Sequence, residues 1–152
     1  MKRTIRWWLI LTILLATALL GILIPSGLGE QDYTNLEPGD TAWMLTATAL
    51  VLLMTPGLAF FYGGMVQPRN IISTMLQSFI AIGIVSVLWV IAGFSIAFGD
   101  SIGKEGFGLF GNPFTYFMFR GVGGGTHPDL SPTFPFAVFA MFQLKFAIIT
   151  PA

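Results

Sequence analysis

The chain has 152 residues, of which 55% are hydrophobic and only 9% charged, whereas soluble domains carry about 25% charged residues. Seven basic and seven acidic side chains give a net charge of zero, so no basic patch indicates nucleic acid as a partner, and the absence of cysteine excludes disulfides and thiol chemistry. The composition therefore indicates a membrane protein whose surroundings are the lipid bilayer.

The placement of charge divides the chain into apolar windows. No charged residue occurs in residues 7–29, 41–68 or 70–99, and a fourth apolar segment, 134–152, is interrupted only by Lys145. A helix needs about 20 apolar residues to cross a hydrocarbon core of roughly 30 Å, and each of the three windows is long enough. The pattern predicts an all-α, polytopic transmembrane helical bundle.

Residues 1–29 have the layout of a signal peptide or an uncleaved anchor helix. Lys2, Arg3 and Arg6 precede a long apolar stretch, and Gly27-Leu28-Gly29 offers a small-x-small cleavage site. The apolar stretch is longer than the usual 7 to 15 residues of a signal, so both alternatives stay open. In both cases we expect the basic end to stay in the cytoplasm.

Residues 30–40 are acidic and turn-rich, so we expect a short external segment that ends with Asp40 as the N-cap of the first mature span, 41–65. Pro56 lies inside this span and should kink it, and the carbonyl that it frees needs another partner, for which a threonine hydroxyl is a candidate. Gly57, Gly63 and Gly64 should allow a neighbouring helix to approach closely.

The next turn, "MVQPRN", carries Arg69, so we place it in the cytoplasm. Asn70 is expected to cap the second span, 70–99.

The segment that follows, residues 100–132, is rich in glycine and aromatic residues and is expected to be a long external loop. Ser131-Pro132 has the pattern of an N-cap followed by proline at the first helical position, so the third span is predicted over 133–152.

The titratable residues do not indicate an enzyme. A general acid-base site needs titratable groups held in one pocket, but every carboxylate lies in a predicted loop, and the one histidine, His127, lies in a glycine-rich loop. No phosphate loop, zinc-ligand spacing or nucleophile motif is present. We therefore expect no catalytic residue, no metal and no cofactor, and we interpret His127 as a solvated loop residue.

Phe142 and Phe146 are the candidate functional pair. Four residues on a helix correspond to about 40° of rotation and roughly 6 Å of rise, so the two rings lie along one face. Spacing alone favours ordinary packing against lipid or core. The functional alternative is an aromatic lining for a conduit, in which the outer ring holds a cation by its quadrupole and the inner ring bars water and hydrated ions.

Lys145 lies in the third span, about 17 Å along the segment from Phe134 and therefore near mid-membrane. A lysine at the centre of a span costs about 2.5 to 3.5 kcal/mol on the insertion scale, so this segment alone is a marginal span and needs neighbouring helices. Two interpretations stay open: a functional group in the membrane, or a lysine whose stem reaches a polar cavity or helix junction.

Three stretches in the order in which they occur, "DTAWMLTATALVLLMTPGLAFFYGGMVQPRN", "STMLQSFIAIGIVSVLWVIAGFSIAFG" and "MFQLKFAIITPA", resemble the ammonium transporter (Amt/Mep/Rh) family. The resemblance covers roughly residues 40–152. It implies a trimer in the plasma (inner) membrane, each multi-pass subunit having eleven spans in two inverted halves around a narrow hydrophobic pore. This chain would supply the first two mature spans and most of the third.

In that family a vestibule recruits ammonium, stacked phenylalanines gate the pore, and two histidines line it beneath. The resemblance implies that Phe142 matches the vestibule phenylalanine and Phe146 the outer gate phenylalanine, and Gln143 matches a motif glutamine. The family's other vestibule, gate and pore residues have no counterpart in the 152 residues. The same is true of the cytoplasmic tail that meets a PII-type regulatory protein.

Three functions are weighed. The first is the N-terminal fragment of a transporter of ammonium/ammonia, not expected to transport alone because a closed path needs both halves of an inverted repeat. The second is an ammonium sensor with the same membrane fold fused to a cytoplasmic signalling domain. The third is a small structural membrane subunit complete at this length.

Overall fold

The computed structural model describes residues 31–102, 108 and 110–152, together with five positions nearer the N-terminus, Trp8, Thr12, Leu15, Ala16 and Leu19. Apart from those five positions, the predicted signal peptide or anchor over residues 1–29 lies outside the described residues. The described part of the chain is helical, and its only β-pairings are two isolated bridges, Ser101 with Gly111 and His127 with Ser131.

From residue 31 onward the described residues form four α-helices in succession, α1 (Pro38–Met65), α2 (Ile71–Leu88), α3 (Phe94–Phe98) and α4 (Phe136–Ile149). A 3₁₀ turn, Pro68–Asn70, precedes α2; a π-helical turn, Trp89–Gly93, joins α2 to α3; and a second 3₁₀ turn, Phe117–Phe119, lies in the loop before α4. The run Pro68–Phe98 is one continuous helical segment, here called the second span. By length and composition, α1 and the second span can each cross a membrane, whereas α4 is a shorter apolar helix.

The first helix begins one turn earlier than the sequence predicted. Its N-cap position is Glu37, without a side-chain cap bond, and Asp40 lies in the first turn, so the prediction that Asp40 caps the helix was wrong. Pro38 is the physical reason, since proline has a preset φ and lacks the N–H that a first-turn residue would leave unpaired. In the first turn the Asp40 carboxylate still complements the helix dipole.

Two other predicted polar contacts of the spans differ in the structure. Asn70 is at the N-cap position of α2, but its side chain makes no cap bond. Thr55, beside Pro56, is fully buried, and its hydroxyl has no hydrogen-bond partner among the described residues. The hydroxyls of Thr46 and Thr48 instead donate to the carbonyls of Ala42 and Met44 in their own helix.

Helices α1, α2 and α4 pack against one another. Gly63 is buried where α1 meets α2, and a Cβ added there would lie 3.1 Å from Met75 Cγ, so the close approach predicted for this glycine is confirmed. Gly57 and Gly64 have open space beside them, so neither contributes to that approach within the described part of the chain.

The core lies between the C-terminal part of the second span and α4. Trp89 from the π-helical turn, Phe94 from α3 and Leu144 from α4 are all buried there. Trp89 Nε1 donates a hydrogen bond of 3.1 Å to the carbonyl of Ala140. A π-helical turn commonly marks a place where a helix changes register for a tertiary contact, and here it brings an indole donor to the backbone of α4.

The last helix begins later than predicted, at Phe136 rather than near 133, and Ser131 does not cap it. Ser131 instead exchanges two backbone hydrogen bonds with His127, each 3.0 Å long. The free N–H groups at the start of α4 are taken by loop carbonyls: Phe136 N donates to Gly125 O at 2.8 Å, and Ala137 N to Gly123 O at 2.9 Å. Backbone acceptors satisfy groups that a side-chain cap would otherwise have to satisfy.

Candidate functional site

Helix α4 has one tightly packed face. Phe136, Ala140, Leu144 and Ile148 recur every four residues, and all are at most 3% exposed. Such spacing keeps side chains on one stripe of a helix. This stripe packs into the core, and Trp89 donates its indole hydrogen bond to Ala140 on it.

Phe142 and Phe146 lie on the opposite side of α4, which we call the open face. Two residues beyond Ala140 is about 200° of rotation, so Phe142 points away from the packed stripe. The two ring centroids are 5.2 Å apart and the ring planes meet at 69°, an edge-to-face arrangement. Phe146 is 40% exposed and Phe142 half-buried. The predicted adjacency of the two rings on one face is therefore present, and their role stays a prediction.

Lys145 lies about 100° of helical rotation from Phe146, and it is only 9% exposed although its neighbour Phe146 is open. Within the described part of the chain no carboxylate is within salt-bridge distance of it, and Gln143 nearby is half-buried. Its long aliphatic stem packs while the amine remains without a charged partner there. The two interpretations of Lys145 therefore both stay predictions.

The N-terminal end of α4 is held by a glycine-rich loop against the segment that precedes α1. Gly125 N donates to Gln31 Oε1 at 2.9 Å, Thr126 N donates to Asp32 O at 2.7 Å, and Glu37 N donates to Thr133 O at 2.8 Å. Hydrogen bonds from the Thr34 hydroxyl and N–H hold the pKa of the Asp32 carboxyl below its usual value. These bonds fix the start of α4, and Phe142 lies on the same helix six residues beyond Phe136.

His127 is not the solvated loop residue that the sequence predicted. It is half-buried, its ring centroid is 4.6 Å from that of Phe136, and its Nε2 is 3.1 Å from Tyr116 Oη. Glycine-rich surroundings in the sequence gave no sign of this, because the contacts come from residues 11 positions before and 9 positions after it. Burial, and then the charges of Asp100 and Asp129, raise the pKa of the Tyr116 hydroxyl.

The chemistry that the open face offers is that of aromatic rings. Among the described residues no group of three or more His, Cys, Asp or Glu side chains could hold a metal ion. The open face offers instead two aromatic rings, whose negative faces attract a cation and whose apolar surface disfavours water. The sequence interpretation did not single out Trp89 or Tyr116. A buried indole or phenol usually has a hydrogen-bond partner, so these two side chains could have been predicted to bond to another part of the chain.

Comparison with known proteins gives one family. The sequence profile of the Ammonium Transporter Family matches residues 42–152. An ammonium transporter of Mycobacterium tuberculosis is 47% identical over 129 residues, an alignment that covers 76% of this chain and 26% of that protein. An ammonium transporter of Aquifex aeolicus is 41% identical over 140 residues, which is 90% of this chain and 31% of that protein. The chain thus spans about a quarter to a third of the length of the curated relatives it matches.

The fold has a counterpart among solved structures. The crystal structure of the Mep2 mutant delta442 from Candida albicans superposes with a TM-score of 0.60 at 23% sequence identity. The superposition covers 78% of this chain and 28% of that protein. It supports the helical membrane architecture and, at this identity, nothing about substrate.

Proposed function

Since this chain belongs to the ammonium transporter family, we propose that it supplies part of a channel-like pathway for ammonium/ammonia across the plasma (inner) membrane. The curated relatives that this chain matches are named ammonium transporters, and we propose transport rather than catalysis for this chain. Its two long apolar helices and its helical fold support a multi-pass membrane location.

The observation that carries the proposal is the aromatic pair on the open face of α4. Phe142 and Phe146 contact each other edge to face on the less covered side of α4, where Phe146 is 40% exposed and Phe142 half-buried, while the opposite stripe is at most 3% exposed. Exposed rings on a membrane helix suit lipid or further helices as well, and the match of both residues to the family's vestibule and gate phenylalanines favours the conduit. An aromatic column beside an uncovered space suits a conduit that must attract a cation and exclude water.

We assign the two rings different roles. Phe142 lies nearer the external end in the proposed orientation, and its face would hold the ammonium ion for about 0.5 to 2 kcal/mol by the ring quadrupole. Phe146 lies one turn further in, and as the gate it would bar water and hydrated ions. Gln143 and Lys145, between the two in sequence, stay without an assigned role.

The proposed partners follow from the family. The substrate is ammonium/ammonia, the assembly a homotrimer, and a PII-type regulator would bind a cytoplasmic tail that lies outside residues 1–152. Large apolar side chains stay exposed along α1 and the second span, with Trp43 74% and Ile72 80% exposed. Such surfaces are suited to lipid and to further helices of the same assembly.

Uptake of radiolabelled methylammonium tests the function. The full-length gene that encodes this chain is expressed in cells without their own ammonium uptake, and membrane protein is quantified in parallel. We expect saturable uptake above the vector background that unlabelled ammonium competes away. Folded protein in the membrane with uptake no higher than that of the vector would contradict transport, and an ammonium-dependent signal without flux would favour the sensor instead.

A further inference from the structure

Two side chains of the loop before α4, Tyr116 and His127, connect the second span to α4. The proposed function does not involve this connection. The backbone of Tyr116 is hydrogen-bonded to the second span. Tyr116 N donates to Ser95 Oγ at 2.6 Å, and Ser95 is fully buried in α3. The Tyr116 ring also packs on Phe94 and on Phe136, with centroids 5.4 and 5.3 Å away. Tyr116 is therefore fixed to the outer end of the second span.

His127 completes the link to α4. Its ring lies on Phe136, the first residue of α4, and its Nε2 meets the Tyr116 hydroxyl at 3.1 Å. Phe136 is 3% exposed, so this contact is made inside the packed outer end of the bundle. His127 therefore connects the start of α4 to Tyr116, which is itself bonded to the second span.

The other ring nitrogen of His127 shows which protonation state the loop requires. Asp129 N and Leu130 N both donate to Nδ1, at 3.4 and 3.3 Å. A nitrogen that accepts hydrogen bonds carries no proton, so in the neutral ring the proton is on Nε2, which donates to Tyr116 Oη. In a doubly protonated ring both nitrogens are donors, and Nδ1–H would then face two N–H donors.

From this geometry we propose that His127 is a positioning residue whose neutral imidazole holds the outer end of α4, and with it Phe142, against the second span. The effect of His127 on flux rests on the proposed function, whereas its effect on the structure does not. Histidine is the side chain that gains its charge between about pH 8 and pH 5. Acidification of the outer side should therefore loosen the turn 127–131 and the start of α4.

Acidic and apolar groups surround the Tyr116–His127 pair. Asp129 in the same turn and Asp100 at the end of the second span are acidic, and their charges act on Tyr116. Phe136, which packs on the His127 ring, and Phe94, which packs on the Tyr116 ring, are apolar. The hydroxyl of Tyr116 keeps its proton throughout this range, because burial and the two carboxylates raise its pKa. A protonated imidazole would place Nδ1–H against the N–H groups of Asp129 and Leu130, so the hydrogen-bond pattern of this turn requires the neutral ring.

Hydrogen exchange measures the effect directly. The purified full-length protein is exchanged at about pH 8 and about pH 5, with rates corrected for intrinsic exchange, and peptides within 123–137 are followed. These peptides contain the amides of Asp129, Leu130 and Phe136. We expect wild-type protection to fall by about two- to tenfold at the lower pH, the equivalent of one lost hydrogen bond.

Variants separate the histidine from its surroundings. His127→Asn places an amide oxygen near the position of Nδ1 and cannot titrate in this range, so its protection should not change with pH. Tyr116→Phe keeps the ring and removes the hydroxyl, and its acid sensitivity should persist. Asp129→Asn should also keep the acid-induced fall, and it supplies a test if His127→Asn does not fold.

Each outcome of these measurements either supports or overturns the proposal. Wild-type protection that is equal at the two pH values would overturn the proposal, as would an acid-induced fall that survives in His127→Asn or disappears in Asp129→Asn. Methylammonium uptake at the same external pH values should fall more in wild type than in His127→Asn. A fall in protection that His127→Asn abolishes supports the positioning role even if no variant shows uptake, and in that case it is the proposed transport that fails.

Discussion

Phe142 and Phe146 have the same side chain and share one face of α4, yet the roles proposed for them differ, and so do their surroundings. Phe146 is 40% exposed on a helix whose opposite stripe is almost fully buried, and Phe142 is more covered and lies nearer the loop that holds the start of the helix. A ring that attracts a cation acts on binding, whereas a ring that closes a passage acts on the barrier to movement. Truncation of each ring should therefore affect a different measured quantity.

We expect Phe142→Ala to weaken apparent affinity for methylammonium by up to a few tens of fold, because a ring binds a cation for about 0.5 to 2 kcal/mol. Phe146→Ala should change flux, or selectivity against water and other cations, with little effect on affinity. Uptake kinetics normalised to folded protein check both. Phe60→Ala is the matched control, since that ring is on α1 and 67% exposed. Unchanged kinetics in both α4 variants would reject the pore assignment.

At the scale of elements, the start of α4 depends on glycines rather than on a side-chain cap. The carbonyls of Gly123 and Gly125 accept the first N–H groups of the helix, and both residues are buried. A Cβ at Gly125 would lie 2.9 Å from both the N and the O of Asp32. These contacts are with backbone, which cannot rotate away as a flexible side chain can.

Gly125→Ala should therefore destabilise the protein by about 1 to 3 kcal/mol, the usual cost of forcing extra volume into a packed site. Gly124→Ala is the control, because its added Cβ would meet only the Tyr33 ring at ordinary distances of 3.6 and 3.7 Å. Thermal unfolding in detergent, followed by the amount of monodisperse protein, compares the two variants. Equal stability of the two alanine variants would mean that the loop can move off Asp32 without cost.

At the scale of the whole molecule, the proposed orientation places the turn after α1 in the cytoplasm and the glycine-rich loop outside. The basic residues near the N-terminus and the alternation of spans motivate it. Gln67 and Gly124 are both exposed, and Gly124 has room for a side chain. The chain has no cysteine of its own, so single cysteines at these positions report without background from it.

Gln67→Cys should react with a membrane-impermeant thiol reagent only after the cells are opened, and Gly124→Cys should react in intact cells. The physical reason is that α1 and the second span each have the length to cross the bilayer, so the chain changes sides between the two positions. Labelling efficiency with and without permeabilisation is the measurement. Reaction of both cysteines from the same side would contradict this topology.

The sequence by itself determined the class of the molecule and the adjacency of the aromatic pair. Charge-free apolar windows of about 20 residues are typical of helices that cross a bilayer, and the helices at Pro38–Met65 and Pro68–Phe98 lie where two of those windows are. The i, i+4 spacing of Phe142 and Phe146 needs only a helix to place both rings on one face, and their contact is present. These features follow from local periodicity, which a single chain displays directly.

Tertiary structure alone decided how the N-terminal end of α4 is held. Its first N–H groups found carbonyls at Gly123 and Gly125 instead of Ser131, and His127 found Tyr116 and Phe136 instead of water. Each of these partners depends on how a long loop folds back on two helices, and glycines impose little local preference on that path. Hydrogen-bond partners that come from distant parts of a chain leave no periodic trace in its sequence, so they become visible only when the elements are packed.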